Sequence, residues 1–564
     1  MPSLNIATRS DALDRMAAET FDVLVIGGGI TGLGVALDAA ARGYTVALVD
    51  KGDFGGSTSS KSTKLVHGGI RYLPQFDFAL VHEALVERGT LMRNAPFLVR
   101  PLPFLLPLYE DARKPLGIPF APPNGIGMGL LLTTGLVLYD ALAGRRGFPR
   151  HKRISVEQAL TLAPHLRGEG LKETFIYYDG QTNDTRLVVA VLRTASRFGA
   201  AIANYAAVTG FEKANGKLVA AHVHDVLGDR DITIRARHIV NAGGVFAERI
   251  AALTGDESKV HVAPSKGVHL IVSSERVGVT DTGIVLPETD DGRILFIVPW
   301  EERAIIGTTD TGEGDLDHPE ATPEDIDYLI RHVNRYLNVN LTTDDLISAY
   351  AGYRPLVKSR ERPSANLSRT HVVVEENNGM VTIVGGKMTT YRRMAQDTVD
   401  TLAKRDQMPV AHPTEKLALS GAINWKQARA ELARRCEALG LDHEIETSLA
   451  FNYGGHALEI LDLVEKRPEL AARLIPDLPF IRADVIYACR EEMAMRLDDA
   501  LARRMRIELE DRSRGAGVVT EVAKLMASEL GWPESVVASE IEHYTSAVRR
   551  SLSDEGLARI AGPQ

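Results

Sequence analysis

A glycine-rich turn near the N-terminus constrains the fold of this chain more than any other feature. The segment FDVLVIGGGITGLGVALDAAARGYTVALVD has the pattern of a strand, a tight turn, an amphipathic helix and a second strand. In the turn, Gly27 allows the sharp bend, Gly29 lets the backbone approach a pyrophosphate, and Gly32 allows close packing of the helix. Asp50 ends the second strand, where it can accept hydrogen bonds from ribose hydroxyl groups. The sequence therefore predicts a βαβ unit that binds a dinucleotide.

Two later glycine pairs help to distinguish the dinucleotides, since the turn itself suits both NAD and FAD. Gly243 lies in NAGG and Gly386 in VGGK, and each motif follows a β-rich segment. Such turns would let distant parts of the chain reach one extended cofactor, although both are also compatible with ordinary turns at strand ends. The sequence has no second complete GxGxxG unit with its own acid. These features favour FAD as the cofactor.

The composition is that of a soluble globular chain, with 45% hydrophobic and 25% charged residues among 564. A net charge of −9 argues against binding to nucleic acid. The two cysteines, Cys436 and Cys489, are too few for a disulfide framework or a cysteine-based metal site, so we expect no metal and a cytoplasmic location. The apolar stretch 115–139 is interrupted by prolines and its continuous part is too short to span a membrane, which leaves a buried helix or a contact with the membrane surface.

We predict an α/β fold with three main parts. A Rossmann-like FAD-binding domain is built from discontinuous segments, a substrate domain contains an antiparallel sheet, and the C-terminal domain is helical. The first 20 residues lack the apolar core of a signal peptide and are expected to form an irregular arm. The expected boundaries are 1–20 for the arm, 21–75, 180–250 and 350–410 for the FAD-binding domain, 76–179 and 251–349 for the substrate domain, and 411–564 for the helical domain.

Several longer motifs in residues 20–400 carry a family resemblance: TSSKSTKLVHGGIRYL, SKGVHLIV, FIVPW, IIGTTDT, YAGYRPLV and VGGKMTTYRRMA. In their identity and order they resemble the FAD-dependent glycerol-3-phosphate dehydrogenases of the bacterial aerobic type. The resemblance implies noncovalent FAD, oxidation of sn-glycerol 3-phosphate to dihydroxyacetone phosphate, and transfer of the electrons to membrane quinone. It also implies a peripheral enzyme at the cytoplasmic membrane, and we expect a homodimer. The alternatives are an oxidase that uses oxygen, a dehydrogenase of another polyol phosphate such as erythritol phosphate, and a flavoprotein without turnover.

The resemblance also assigns residues to the substrate pocket. Arg71, Tyr72 and Arg369 match positions that the family associates with the substrate, and arginine suits the planar arrangement of phosphate oxygens. Three polar residues of IIGTTDT either bind the substrate or orient Arg354: Thr308, Thr309 and Asp310. We expect Arg354 to act by orientation and by its permanent charge.

Oxidation of a secondary alcohol also requires a base near the hydroxyl group. His269 titrates near neutrality without help, and a lysine among arginines, such as Lys387, would have a lowered pKa. Both residues remain candidates, with an electrostatic role as the alternative for each. His67 is a less favoured site for a covalent flavin link. Three residues of the same segment are instead expected to contact FAD noncovalently: Ser59, Ser60 and Lys64.

Overall fold

The computed structural model describes residues 3–112, 114–118, 127–144, 148–312, 314–357 and 370–557. Its strands are β1 (Thr20–Ile26), β2 (Val46–Val49), β3 (Leu65–Val66), β4 (Arg100–Tyr109), β5 (Lys152–Ile154), β6 (Leu171–Gln181), β7 (Ala201–Ala203), β8 (Ala206–Ala214), β9 (Lys217–Asp225), β10 (Arg230–Asn241), β11 (Val262–Ser273), β12 (Gly283–Leu286), β13 (Leu295–Trp300), β14 (Arg303–Gly307), β15 (Leu346–Val357), β16 (Val372–Glu375) and β17 (Val381–Val384).

Its α-helices are α1 (Ile6–Ala18), α2 (Ile30–Ala41), α3 (Phe78–Asn94), α4 (Met128–Ala143), α5 (Val156–Leu162), α6 (Asp184–Arg197), α7 (Ala247–Ala252), α8 (Ser274–Val277), α9 (Pro323–Tyr336), α10 (Tyr391–Arg405), α11 (Trp425–Ala438), α12 (His443–Tyr453), α13 (Ala457–Lys466), α14 (Arg482–Glu491), α15 (Ile507–Glu510), α16 (Val519–Leu530) and α17 (Glu534–Asp554). Short 3₁₀ turns at Thr58–Ser60, Ile70–Gln75 and Met388–Thr390 separate several of these elements.

The first sheet has eight strands and contains the glycine turn. Its main path is β16-β17-β10-β1-β2-β7, and β9 pairs with the first half of β10 and with β8. Strand β1 runs parallel to both β2 and β10. Because side chains alternate along a strand, Val23 and Val25 pack in the cluster that contains α2, whereas Leu24 and Ile26 pack in the cluster that contains α1. The parallel strands β17, β10, β1, β2 and β7 at the centre of this sheet, covered on both faces, confirm the expected Rossmann-like, discontinuous domain.

The N-terminal residues form helix α1 instead of the expected irregular arm. The side-chain oxygen of Asn5 accepts hydrogen bonds from the backbone nitrogens of Ala7 and Thr8, both at 3.0 Å, which satisfies the first turn. Leu13 and Met16 are fully buried against the first sheet. The few apolar residues of this segment make a weak periodic pattern, so only contact with the sheet reveals the helix.

The second sheet has nine strands in the order β15-β11-β14-β13-β12-β4-β6-β3, with β5 paired to β6. Strands β4 and β12 run parallel, and the other described pairs of this sheet are antiparallel. Strand β3 lies within a segment that the sequence analysis placed in the FAD-binding domain, and β15 crosses the expected boundary at residues 349 and 350. Strand β15 pairs with β11 along nearly its whole length, and this long-range pairing moves the boundary.

Helices α11–α17 form the C-terminal part of the molecule, and both cysteines are buried free thiols there. Among the residues that the structure describes, no helix is long and apolar enough to cross a membrane. The apolar helix α4 is half-buried: Leu132 and Leu136 lie in the core, whereas Leu130 is 72% exposed and Val137 52% exposed.

Candidate active site

A cavity of about 720 Å³ is lined by residues of both sheets. It begins at the ends of β1 and β2, at Ile26 and Val49, and extends to His269 on β11 and Arg354 on β15. Crevices beyond the carboxyl ends of parallel strands are the usual ligand sites of open α/β sheets. The fold therefore joins the glycine turn and the expected substrate residues in one space.

The glycine turn has the geometry that a pyrophosphate requires. Gly27 has a φ of +114°, and a Cβ at this position would lie 2.6 Å from the carbonyl oxygen of Ala242. Gly29 is the N-cap of α2 and has no side chain to cap the helix. Of the backbone N–H groups at the helix start, that of Ile30 donates to Ser59 Oγ, and Thr31 lines the cavity. Gly32 lies outside the cavity lining, and a Cβ there would overlap the carbonyl oxygen of Gly27. It serves the close packing that the sequence predicts.

Asp50 is held against the turn by two backbone nitrogens. Its Oδ2 accepts a hydrogen bond from Gly28 at 2.5 Å, and its Oδ1 accepts one from Gly52 at 2.8 Å. Burial raises the pKa of this carboxyl to about 6, although both hydrogen bonds oppose the rise. Asp50 lines the cavity and fits the predicted role toward a ribose.

Of the three other residues of this region that were expected to contact FAD, Ser59 lines the cavity, whereas Ser60 and Lys64 do not. Ser59 lines it, and its Oγ accepts a hydrogen bond from the backbone nitrogen of Ile30 at 3.0 Å. The hydroxyl of Ser60 instead donates to the carbonyl of Ser57 at 3.1 Å, and Ser60 is absent from the lining.

Lys64 is fully buried away from the cavity lining, which corrects the expectation that its ammonium group contacts FAD. Its Nζ lies 2.6 Å from both carboxylate oxygens of Asp184 and 2.7 Å from the carbonyl oxygen of Ser60. Burial lowers the pKa of Lys64 to about 8, against the opposing effect of Asp184. This buried pair secures the segment between Ser60 and Lys64.

The later glycine pairs come to the same cavity. Gly243 and Gly386 both line it, together with His67. Gly386 has a φ of +71°, a conformation that favours glycine. Residues from the second and third segments of the expected FAD-binding domain therefore line the cavity together with the glycine turn, as expected for an extended cofactor.

A set of basic side chains, here called the basic cluster, also lines the cavity. Arg71 and Tyr72 come from the 3₁₀ turn Ile70–Gln75, and Arg71 Nη2 donates to Tyr72 Oη at 2.9 Å. Lys387 Nζ lies 4.3 Å from the centre of the Tyr72 ring. His269 and Arg354 complete the cluster from β11 and β15. Arg369, the remaining expected substrate residue, lies outside the described residues.

Arg354 is held in place by the motif IIGTTDT. Its Nη2 donates to Thr308 Oγ1 at 3.1 Å and to the carbonyl oxygen of Thr309 at 3.2 Å. Asp310 Oδ1 lies 3.7 Å from Arg354 Nη1 and also accepts a hydrogen bond from the Ser265 hydroxyl. Thr308 lines the cavity, whereas Thr309 and Asp310 do not. Of the two predicted roles for these residues, the geometry favours orientation of Arg354.

His269 is buried and lies beside two residues that the sequence analysis did not select. Its Nε2 is 2.8 Å from Thr63 Oγ1, and its ring stacks on Tyr350 with 4.8 Å between ring centres. Burial, and then the charges of Arg354 and Lys64, hold the pKa of His269 well below its usual range. The imidazole is therefore neutral near pH 7 and can accept a proton.

Comparison with known proteins agrees with this geometry. The model of the FAD dependent oxidoreductase family matches residues 22–392, and the model for the C-terminal domain of alpha-glycerophosphate oxidase matches residues 412–537. Glycerol-3-phosphate dehydrogenase 2 of Mycobacterium tuberculosis is 37% identical over 554 residues, which covers 98% of this chain and 92% of that protein. The probable mitochondrial glycerol-3-phosphate dehydrogenase of Caenorhabditis elegans is 36% identical and covers 95% of this chain and 74% of its own.

The chain belongs to the FAD-dependent glycerol-3-phosphate dehydrogenase family. Its cofactor is FAD. The glycerol-3-phosphate dehydrogenase from Bacillus halodurans, solved in complex with FAD, superposes with a TM-score of 0.80 and is 29% identical, covering 98% of this chain and 99% of that chain. L-proline dehydrogenase from P. horikoshii, at 18% identity and a TM-score of 0.51, shares the fold alone.

Within this family member, sequence reasoning missed Thr63 and Tyr350. Thr63 lies in the quoted motif TSSKSTKLVHGGIRYL, next to Lys64, so its place in that motif was the available signal. Tyr350 is opposite His269 in the β11–β15 register, which no local pattern reveals.

Proposed function

We propose that this protein oxidises sn-glycerol 3-phosphate to dihydroxyacetone phosphate and passes the electrons to membrane quinone. The observation that carries the proposal is the joining of a basic cluster and an FAD-binding turn in one cavity. The names of the M. tuberculosis and B. halodurans relatives support the choice of substrate. When bound, FAD supplies the acceptor for the hydride of the substrate carbinol carbon.

Binding of the substrate follows from the charges around the cavity. Arg71 is fixed by its bond to Tyr72 and presents a planar cation that suits a phosphomonoester. Arg354, oriented by Thr308 and Thr309, supplies a second cation that stabilises negative charge on the alcohol oxygen. Lys387, near the Tyr72 ring, adds to the positive field.

Removal of the hydroxyl proton falls to His269 in this proposal. Its low pKa keeps the imidazole unprotonated, while the contact with Thr63 and the stacking on Tyr350 hold the ring in one orientation. Lys387 then has the electrostatic role, which was one of the two predicted alternatives for it.

An anaerobic spectral titration tests the substrate assignment. Glycerol 3-phosphate should bleach the flavin absorbance at lower concentration than erythritol 4-phosphate, and glycerol without phosphate should be much weaker because it lacks the group that Arg71 binds. Preferential bleaching by another polyol phosphate would overturn the assignment. Reoxidation of the bleached protein by a quinone analogue or by air then separates a dehydrogenase from an oxidase. Acid precipitation should leave a colourless pellet if FAD is noncovalent.

Transfer to membrane quinone requires contact with the lipid surface, and helix α4 supports a location for it. The exposed Leu130 and Val137 lie on one face of α4. Two further exposed apolar residues, Phe76 (68% exposed) and Phe78 (40% exposed), lie where the 3₁₀ turn Ile70–Gln75 meets α3, and both of these elements contact α4. The exposed basic residues Arg150, Lys152 and Arg153 follow, and His151 Nδ1 ties this segment to Asp140 of α4 at 2.6 Å. We propose that this surface binds the cytoplasmic face of an anionic membrane peripherally.

Vesicle flotation tests this membrane contact. The double substitution Leu130→Ser/Val137→Ser should reduce binding to vesicles that contain anionic lipid, because both side chains lose apolar area buried in the lipid. Val226→Ser, at an apolar position between β9 and β10 that is 41% exposed, is the control. Equal flotation of the double variant, the control and the parent protein would place the membrane contact elsewhere.

A further inference from the structure

One short helical turn of the C-terminal part of the chain contributes residues to the lining of the FAD cavity. Residues Asp499–Arg504 form one turn of π-helix between α14 and α15. From this turn and its start, Arg503 and Asp498 line the same cavity as Asp50 and Gly52. The cavity wall is therefore made partly by a region outside the FAD-dependent oxidoreductase match at residues 22–392.

Arg503 connects this turn to the loop that follows Asp50. Its Nε lies 2.6 Å from Asp53 Oδ2, and its Nη2 lies 2.6 Å from Asp499 Oδ1. Its Nη1 has no hydrogen-bond partner within the part of the chain that the structure describes, and the side chain is 12% exposed. One nitrogen of the guanidinium therefore remains available toward the cavity that Arg503 lines.

Arg504 is a second partner of Asp53. Its Nη1 and Nη2 lie 2.8 Å and 2.9 Å from the two carboxylate oxygens of Asp53, and both side chains are fully buried. Burial alone would raise the pKa of Asp53, but the charges of Arg504 and Arg503 lower it to about 2. Asp53 therefore has a bidentate ion pair with Arg504, and Arg503 adds contacts to Asp53 and to the buried Asp499 that leave its Nη1 outside both pairs.

The position of Asp53 indicates which end of FAD this arginine faces. Asp53 is in the loop directly after Asp50, the residue placed to bind the ribose. The next residue but one, Gly55, donates its backbone N–H to the carbonyl oxygen of Gly28 in the glycine turn at 3.0 Å. Arg503 is thus fixed beside the adenosine side of the pyrophosphate turn.

We propose that Arg503 is an FAD-binding residue contributed by the C-terminal domain, through a polar contact to the adenosine portion of the cofactor. FAD binding then stabilises the docking of that domain on the first sheet, because one residue serves both. This inference depends on the assignment of FAD and is independent of the substrate and of the electron acceptor.

Affinity measurements on the full-length chain, stripped of FAD, test the contact. Arg503→Met, which keeps the length of the side chain, should weaken binding of both FAD and ADP by at least about tenfold, the effect of one charge-assisted hydrogen bond. Arg503→Lys should lie between Met and the parent protein. Arg490→Met, which removes an exposed pair with Glu529 in the same domain, is the control and should leave both affinities unchanged. Unchanged FAD affinity, or weaker FAD binding with unchanged ADP binding, would overturn the proposal.

Hydrogen exchange of the unmodified protein gives a second test that does not depend on how a variant folds. Adding FAD should slow amide exchange in 498–504 more than in α13, and the addition of ADP alone should reproduce most of this effect. Exchange in 498–504 that does not respond to FAD in the parent protein would overturn the proposed linkage.

Discussion

At the residue scale, Arg354 has a setting that requires a planar, forked cation. Its two terminal nitrogens reach Ser265, Thr308 and the carbonyl oxygen of Thr309 at 3.1–3.3 Å. Arg354→Lys keeps the charge but loses this fork, so we expect a loss of about 1.5–3 kcal/mol of transition-state stabilisation. The rate of flavin reduction, measured by stopped flow, should fall roughly 10- to 100-fold. Arg249→Lys, at another arginine of the cavity lining, should have little effect, and a parental rate for Arg354→Lys would contradict the assigned role.

His269 decides the expected pH dependence. Since burial and nearby cations hold its pKa below the usual value of about 6.5, it is unprotonated at neutral pH and gains a proton only as the pH falls well below that value. The rate of flavin reduction should therefore stay level down to about pH 6.5 and decline at more acidic pH. His269→Gln should be slow and lose this acidic decline, whereas Lys387→Met should be slow and keep it. If the decline disappears only in Lys387→Met, lysine is the base; if both variants keep the parental rate and profile, neither is.

At the scale of single elements, substitutions at the start of α2 can change the affinity for FAD without changing the stability of the helix. Gly29 is the N-cap with φ −73° and ψ 175°, a conformation that other residues adopt, and a Cβ there would meet only the Ser59 Oγ at 3.2 Å. Asp and Asn are both good N-caps, so Gly29→Asp and Gly29→Asn should leave the melting temperature of the FAD-free protein nearly unchanged. The Asp carboxylate repels a pyrophosphate, and we expect it to weaken FAD binding about tenfold or more relative to Asn. Equal FAD affinity of the two variants would show that the pyrophosphate is not at this helix start.

At the scale of the whole molecule, buried ion pairs attach the C-terminal part to the FAD-binding part. Arg186 of α6 makes a bidentate pair with Glu492, with Nη1 and Nη2 at 2.7 Å and 2.5 Å, and both side chains are at most 3% exposed. Arg186→Met leaves the Glu492 carboxylate buried without this partner, which should cost about 3–5 kcal/mol in the free energy of unfolding. Urea unfolding followed by far-ultraviolet circular dichroism measures the change.

Two further variants test whether the loss of stability arises from burial of the unpaired charge. Arg186→Met/Glu492→Leu should recover most of the lost stability, because it removes both charges and leaves apolar side chains of similar size. Arg473→Met removes an ion pair with Glu444, whose carboxylate is exposed to solvent. This substitution should lower the free energy of unfolding by less than about 1 kcal/mol. A single substitution of Arg186 with no measurable effect would show that the two parts of the molecule are joined by other contacts.

Local chemistry was sufficient to predict the dinucleotide-binding turn, because Gly27, Gly29 and Asp50 act through backbone geometry within one βαβ unit. The family motifs likewise placed Arg71, His269 and Arg354 in one site. Tertiary structure alone decided the rest. Lys64 pairs with Asp184 and does not line the cavity, and Thr63 contacts His269. Both contacts join residues far apart in sequence, and such partners determine where a buried charge or polar group is satisfied. The same reason places Arg503, from the opposite end of the chain, beside Asp53, since the contact exists only once the helical domain packs on the first sheet.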